Sequence, residues 1–278
     1  MRLFLLTALT MVAFAANSLL NRAALAEGVI DPGSFAAIRV VSGAAVLVAL
    51  LGLRVRRIPK LVRPDVLAAL ALAAYLTGFS FAYVALGAGP GALVLFGGVQ
   101  ATMFGGAVLG GERPPVLRWL GMAVSFGGLV LLVGPGGGAA GPLAYALMAL
   151  AALGWGIYSL IGRRAVDPLA ATAWNFVYAV PVVVAVALVA GGAAATTPGV
   201  LLAVLSGAVT SGLGYALWYA LLPRLGATRA AVAQLSVPVI ALLAGVALLG
   251  EAVSGTAVIA SALILGGIAL GLAPIKRT

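Results

Sequence analysis

Ten apolar segments of about 20 residues follow one another along this chain, joined by connections of about ten residues at most. A helix needs roughly 20 apolar residues to cross the hydrocarbon of a bilayer, so this pattern leaves lipid as the solvent. Breaks at glycine, proline and charged clusters put the segments at 3–23, 33–53, 65–86, 90–110, 116–134, 142–162, 168–190, 198–222, 226–249 and 253–273. Charged residues make up only 8% of the 278, against about a quarter in soluble domains. Residues 2–18 imitate a secretion signal, but nine further apolar segments favour an uncleaved first span.

The sixteen basic residues lie between the spans rather than in a patch. A nucleic-acid partner is therefore not expected, and the positive-inside rule accounts for the charge. With the N-terminus cytoplasmic, the inside segments hold Arg2, Arg54, Arg56, Arg57, Lys60, Arg63, Arg113, Arg118, Arg163, Arg164, Arg224, Arg229, Lys276 and Arg277; only Arg22 and Arg39 fall elsewhere. Both termini are expected to be cytoplasmic. The chain has no cysteine and no histidine, which excludes disulfides, thiol nucleophiles, imidazole bases and Cys/His metal sites. No acid lies in the body of a span. An enzyme is not expected, and neither is a metal or a cofactor.

The second half restates the first. Asp31-Pro32 aligns with Asp167-Pro168, and Tyr75, Gly78, Phe79 and Tyr83 align with Ser211, Gly214, Tyr215 and Tyr219. Gly110-Gly111-Glu112 aligns with Leu249-Gly250-Glu251, and Gly127-Gly128 with Gly266-Gly267. Residues 1–138 and 139–278 are thus expected to be two five-helix repeats. Five is odd, so the second repeat enters the membrane the opposite way round. Such inverted repeats surround midplane sites in alternating-access transporters. The expected fold is all-α and integral to the membrane, with ten transmembrane helices around a central cavity.

Residues 226–273 carry the progression Ala233-Gln234, Pro238, Gly250-Glu251, Gly266-Gly267, repeated more weakly over 104–132; Trp155-Gly156 opens the second repeat, where the first has Phe14-Ala15. This resembles the drug/metabolite transporter superfamily, in particular its ten-helix exporters built from two EamA-type repeats. The resemblance implies a multi-pass protein of the bacterial inner membrane that exports amino acids, aromatic or otherwise neutral, or related metabolites. The alternative is a multidrug exporter of lipophilic or cationic compounds. The partners implied are a small-molecule substrate and the bilayer, with the chain a monomer or a weak homo-oligomer.

Polar and aromatic side chains inside spans usually face a cavity. The substrate-binding candidates are Asn17, Tyr75, Phe79, Tyr83, Gln100, Trp155, Tyr158, Trp174, Tyr215, Trp218, Tyr219, Gln234 and Ser236. Tyr75, Phe79 and Tyr83 share a face at i, i+4, i+8; Ser211, Tyr215 and Tyr219 do the same in the other half. Interfacial belts compete for the aromatics near span ends, Tyr83, Trp174 and Tyr219. Arg39 is the only basic residue well inside a span: either a carboxylate counter-charge or a side chain snorkelling to the headgroups. Glu112 and Glu251 are expected to favour the N-termini of spans 5 and 10 through the helix dipole. Pro181 and Pro238 interrupt spans 7 and 9 as candidate hinges or static kinks.

Overall fold

A computed structural model describes residues 1–56, 63–111, 113–133, 140–162, 165–192, 194–234 and 236–272, with side chains at 107, 133, 219, 222, 223, 226–232 and 272 outside the description. Glu112, the Tyr219 and Arg229 side chains, and the basic residues Arg57, Lys60, Arg163, Arg164, Lys276 and Arg277 thus lie outside it. The described chain is helical: α1 (Arg2–Ala26), α2 (Pro32–Val55), α3 (Val66–Ala82), α4 (Ala88–Leu109), α5 (Val116–Val133), α6 (Pro142–Gly162), α7 (Pro168–Ala190), α8 (Thr197–Leu205), a π-helical segment (Ser206–Leu213), α9 (Gly214–Gln234), α10 (Ser236–Leu249) and α11 (Gly255–Leu272). Five of these stretches are long and apolar enough to cross a membrane by themselves: α1, α2, α6, α7 and the run Thr197–Trp218. The chain is an all-helical, multi-pass membrane protein. The eighth span is α8, the π segment and the start of α9 in continuous helix.

Local chemistry sets several helix starts. Asp31 precedes α2 and accepts a hydrogen bond from the Ser34 amide at 2.8 Å. Asp65 does the same for Ala68 at 2.9 Å and Asp167 for Ala170 at 3.1 Å. In α2 and α7 a proline follows at the first helical position, where its missing N–H costs nothing. A turn is expected near residues 223–225, yet helix continues to Gln234. Apart from Pro223 and Gly226, that stretch is mostly Ala, Leu and Arg, all strong helix formers.

The most extensive helix contacts join the two halves: α5 with α11, α3 with α6, α2 with α7, and α4 with α6. Glycines allow this closeness. A Cβ at Gly154 would meet the Tyr75 amide at 2.8 Å, and one at Gly78 the Ala151 amide at 3.2 Å. Residue 154 therefore lies beside 75 and residue 151 beside 78, so α3 and α6 run antiparallel. The same crossing relates α5 and α11, where Gly128 approaches Ala260 and Gly121 approaches Gly271.

α2 and α7 also run antiparallel, and each is tied at both ends. At one end, the Asp31 amide donates to Ala194 O at 2.9 Å and Ile30 bridges Ala195. At the other, Arg54 donates to both carboxylate oxygens of Asp167, one at 3.0 Å. That guanidinium holds the Asp167 carboxyl below the usual carboxylate range, chiefly through the hydrogen bond. A carboxyl with a depressed folded value stabilises fully above its unfolded value, near 4, and loses that contribution as pH falls through the folded one. Asp167→Asn should keep the cap, because asparagine caps as well as aspartate. It should lower stability at pH 7 by less than about 1 kcal/mol, since the pair is half exposed. Thermal unfolding in detergent at pH 7 and pH 3 checks this: the gap between wild type and variant should narrow at pH 3. A gap undiminished there would mean the carboxylate charge is not what holds the two helix ends.

Candidate functional site

The core of the molecule is an aromatic cluster contributed by both halves. Tyr75 and Phe79 of α3 lie 5.3 Å apart between ring centroids, and Tyr83 follows Phe79 at 4.7 Å. Trp155 of α6 packs on Tyr75 at 4.8 Å and on Tyr215 of α9 at 4.8 Å. Phe14 of α1 meets Tyr215 edge-on at 5.8 Å and Trp218 at 5.7 Å. The two hydroxyls at the centre, Tyr215 and Tyr75, are hydrogen bonded at 3.2 Å.

These rings enclose a cavity lined by Phe14, Asn17, Ser18, Tyr75, Phe79, Leu95, Phe96, Trp155 and Tyr215. Its volume is about 10 Å³, roughly the room one water needs. That is too little room for an organic molecule.

A buried polar cluster adjoins the cavity. Asn17 Oδ1 accepts from Ser206 at 2.5 Å and Thr210 at 3.0 Å. Asn21 donates to the Asn17 carbonyl at 2.8 Å and to Ser206 at 3.3 Å, and Ser80 donates to Asn21 at 3.1 Å. Both hydroxyls bonded to Asn17 lie in the π-helical segment, whose widened turn shifts the register of all that follows. Such turns cluster at functional sites. Glycine makes the segment's approach possible: a Cβ at Gly207 would overlap the Ser42 hydroxyl and the Arg39 carbonyl.

Arg39 is fully buried and does not snorkel. Its Nε donates to Ser211 at 3.2 Å and its Nη2 to Tyr75 Oη at 3.0 Å, while Nη1 has no partner. The guanidinium sits 5.2 Å from the Tyr75 ring centroid and 4.9 Å from that of Phe79. It is thus one layer behind the cavity wall, with those two rings in between. Neither described ion pair, Arg22 with Glu251 or Arg54 with Asp167, includes it.

Of the candidates read from the sequence, Asn17, Tyr75, Phe79, Trp155 and Tyr215 line the cavity. Tyr158 packs on Trp155 at 5.6 Å, and Trp218 on Phe14, in the layer behind. Tyr83 points to the far end of α3, where its hydroxyl donates to Ala88 O at 3.4 Å. Trp174 stacks on Tyr178 at 6.4 Å, away from the cavity. Gln100 is half-buried on α4 and does not line the cavity. Gln234 and Ser236 flank the α9–α10 boundary, and Ser236 bonds back to Ala233 O at 2.7 Å. Pro181 lies inside α7, which stays helical to Ala190, and Pro238 lies in the first turn of α10, where no hydrogen bond is lost. Phe14, Ser18, Leu95 and Phe96 complete the lining without having been singled out.

Glu251 corrects one expectation. It does not serve the start of its own helix, because Ser254 caps α11 by accepting from Ala257 at 3.1 Å. Instead both Glu251 oxygens accept from the Ala88 amide at the start of α4, at 3.0 and 2.8 Å. The turn at Gly250, with φ of 64°, aims the side chain that way. Arg22 donates to Glu251 at 3.1 Å and to the carbonyls of Tyr83 and Val84 at 3.3 and 3.0 Å. One ion pair thus ties the ends of α1 and α3 to the start of α4.

Tightly packed, apolar helices thus surround a small cavity lined by aromatic rings and hydroxyls. The EamA-like transporter family profile matches residues 142–272. A protein of Pseudomonas aeruginosa described as "Uncharacterized protein PA1977" is 48% identical over 275 residues, covering 98% of this chain and 95% of that one. A solved structure described only as "Crystal structure of protein" superposes with a TM-score of 0.64 at 25% identity, covering 94% of this chain and 97% of the other. The chain belongs to the EamA-like transporter family. It is a membrane transporter of small molecules and not an enzyme.

Proposed function

We propose that this transporter exports small carboxylate-bearing metabolites with an apolar or aromatic body, neutral and aromatic amino acids foremost, from the bacterial cytoplasm by alternating access. The observation that carries this reading is the small cavity with Tyr75, Trp155 and Tyr215 at its wall and the Arg39 guanidinium directly behind. Flat rings suit an apolar side chain, and hydroxyls backed by a cation suit a carboxylate. The same cation opposes a lipophilic cation as cargo, since the five described acidic residues, Glu27, Asp31, Asp65, Asp167 and Glu251, lie at helix ends or in connections.

Alternating access rests on two repeats, 1–138 and 139–278, in opposite orientations. The helix pairing supports that reading. Counting spans, 2 packs on 7 and 5 on 10, and 3 packs on 6 as 8 packs on 1. Equivalent spans 2 and 7 run antiparallel, as do 5 and 10. Cytoplasmic termini at the inner membrane complete the proposal, on the distribution of basic residues.

Transport by purified protein in proteoliposomes tests it, with a panel of aromatic and aliphatic amino acids against lipophilic cations. Trp155→Ala, Tyr158→Ala and Tyr215→Ala should each weaken apparent affinity by several-fold to about tenfold, the effect of about 1 kcal/mol or somewhat more per lost ring contact. Trp119→Ala is the control, since that ring is half exposed and packs only on Phe104 among the described rings. Three variants indistinguishable from the control would reduce these rings to packing.

A further inference from the structure

The charge balance of the core goes further than the cavity's shape. Among the described residues, Arg39 is the only charged side chain in the buried interior. It has no carboxylate partner among the described ion pairs, and Nη1 has no hydrogen-bond partner. A buried cation left this way is costly until an anion joins it.

The hydroxyls beside it carry that charge to the cavity wall. Arg39 Nη2 donates to Tyr75 Oη, and the Tyr215 and Tyr75 hydroxyls share one hydrogen bond. Two O–H groups and one bond between them leave one hydroxyl proton over, whichever tyrosine donates. Both tyrosines line the cavity, so that proton is available to an acceptor there. A donor backed by a guanidinium prefers an ionised acceptor. For a positive group the site offers no acid. The rings of Tyr75 and Phe79 already lie against the Arg39 cation.

We propose that the site selects carboxylate monoanions with an aromatic body and no ammonium over the zwitterionic amino acids of the same shape, and that the membrane potential drives their exit. This rests on the export of carboxylate-bearing metabolites proposed above and revises its order, placing ammonium-free acids ahead of the amino acids named there. A monoanion neutralises the core, whereas a zwitterion brings a second cation to a site with no counter-charge for it. The transported species then carries one negative charge outward. In a cell with a negative interior, that movement is favoured by about 50-fold in concentration ratio per 100 mV. No protonatable carboxylate or imidazole in the spans is required.

Three probes that share one skeleton separate the possibilities: 3-phenylpropanoate, phenylalanine and 2-phenylethylamine. They are offered at pH 8 to the full-length protein in liposomes, with a potassium–valinomycin potential and protein-free liposomes as background. The expected result is half-saturation by 3-phenylpropanoate at a concentration at least tenfold below phenylalanine. Its flux should rise with the imposed potential and carry current, while phenylalanine flux carries none. Arg39→Lys should retain the preference and Arg39→Gln should abolish it. If phenylalanine saturates as tightly as 3-phenylpropanoate, or if 3-phenylpropanoate flux ignores the potential, the charge selection is overturned and carboxylate export stands. If neither carboxylate shows saturable flux, or only 2-phenylethylamine does, both readings fall. The three wild-type comparisons decide this even if the Arg39 variants do not fold.

Discussion

Replacing Arg39 by methionine should make the protein more stable and nearly inactive. The guanidinium is fully buried with two hydrogen bonds, two ring contacts and one empty donor. Exchanging incompletely compensated buried charge for an apolar side chain of similar length typically gains about 1–4 kcal/mol. Methionine also packs favourably against aromatic rings, here Tyr75 and Phe79. Of the groups left behind, Tyr75 keeps its bond with Tyr215, while the buried Ser211 hydroxyl loses the one it receives from Arg39 and offsets part of the gain. Transport should fall by about 10- to 100-fold, the value of a hydrogen bond to a charged group, about 1.5–3 kcal/mol. Thermal unfolding in detergent and proteoliposome flux read the two effects on one preparation. If both stability and flux fall, Arg39 holds the fold together and its strain is not stored for a ligand.

The second large effect belongs to Gly207. In the π-helical segment this residue faces α2 so closely that a Cβ would overlap both the Ser42 hydroxyl and the Arg39 carbonyl. The serine can turn away, but the carbonyl is main chain, so α2 itself must shift. Overpacking of this kind costs about 1–3 kcal/mol, occasionally more. Gly207→Ala should therefore lower the unfolding midpoint by several degrees and weaken transport as well, because Arg39 moves with α2. Gly105→Ala is the matched control. Nothing lies within 4 Å of that Cβ position in α4, and alanine is the better helix former by about 1 kcal/mol. Its midpoint should hold or rise. Equal midpoints for the two variants would show that α2 yields freely at the crossing.

Much of this was legible in the residues. The helix starts at Asp31-Pro32 and Asp167-Pro168 are local chemistry. The stripes Tyr75/Phe79 and Ser211/Tyr215 could be read from their spacing, and in the structure Tyr75 meets Tyr215. What the residues hid has a common cause. In lipid, the inside and the outside of a helix bundle are both apolar, so periodicity does not say which face turns inward. Gln100 looks as cavity-prone as Asn17, and Trp174 suits a belt and a cavity equally, yet of Asn17, Gln100, Trp155 and Trp174 only Asn17 and Trp155 reach the cavity. Leu95 and Phe96 were anonymous for the same reason. The π turn's hydroxyls bond a distant residue, Asn17, 189 positions from Ser206, and regular helical spacing does not anticipate the widened turn. Arg39 could rise to the headgroups or stay at depth, and only the neighbours Tyr75 and Ser211 decide that.

The cross-pairing of the two halves bears on how the protein is made. α2 finds its main neighbour in α7, α3 in α6 and α5 in α11. When the ribosome has released the first five spans into the membrane, none of those surfaces has its mate. The early half must stand in the bilayer as loosely associated helices, α3 until α6, α2 until α7 and α5 until α11 has been inserted, with Arg39 unaccompanied by Ser211 in the meantime. Maturation is then a zipping together of two leaves rather than the docking of two finished bodies. Two separately synthesised halves should need each other's presence in the same membrane to escape proteolysis.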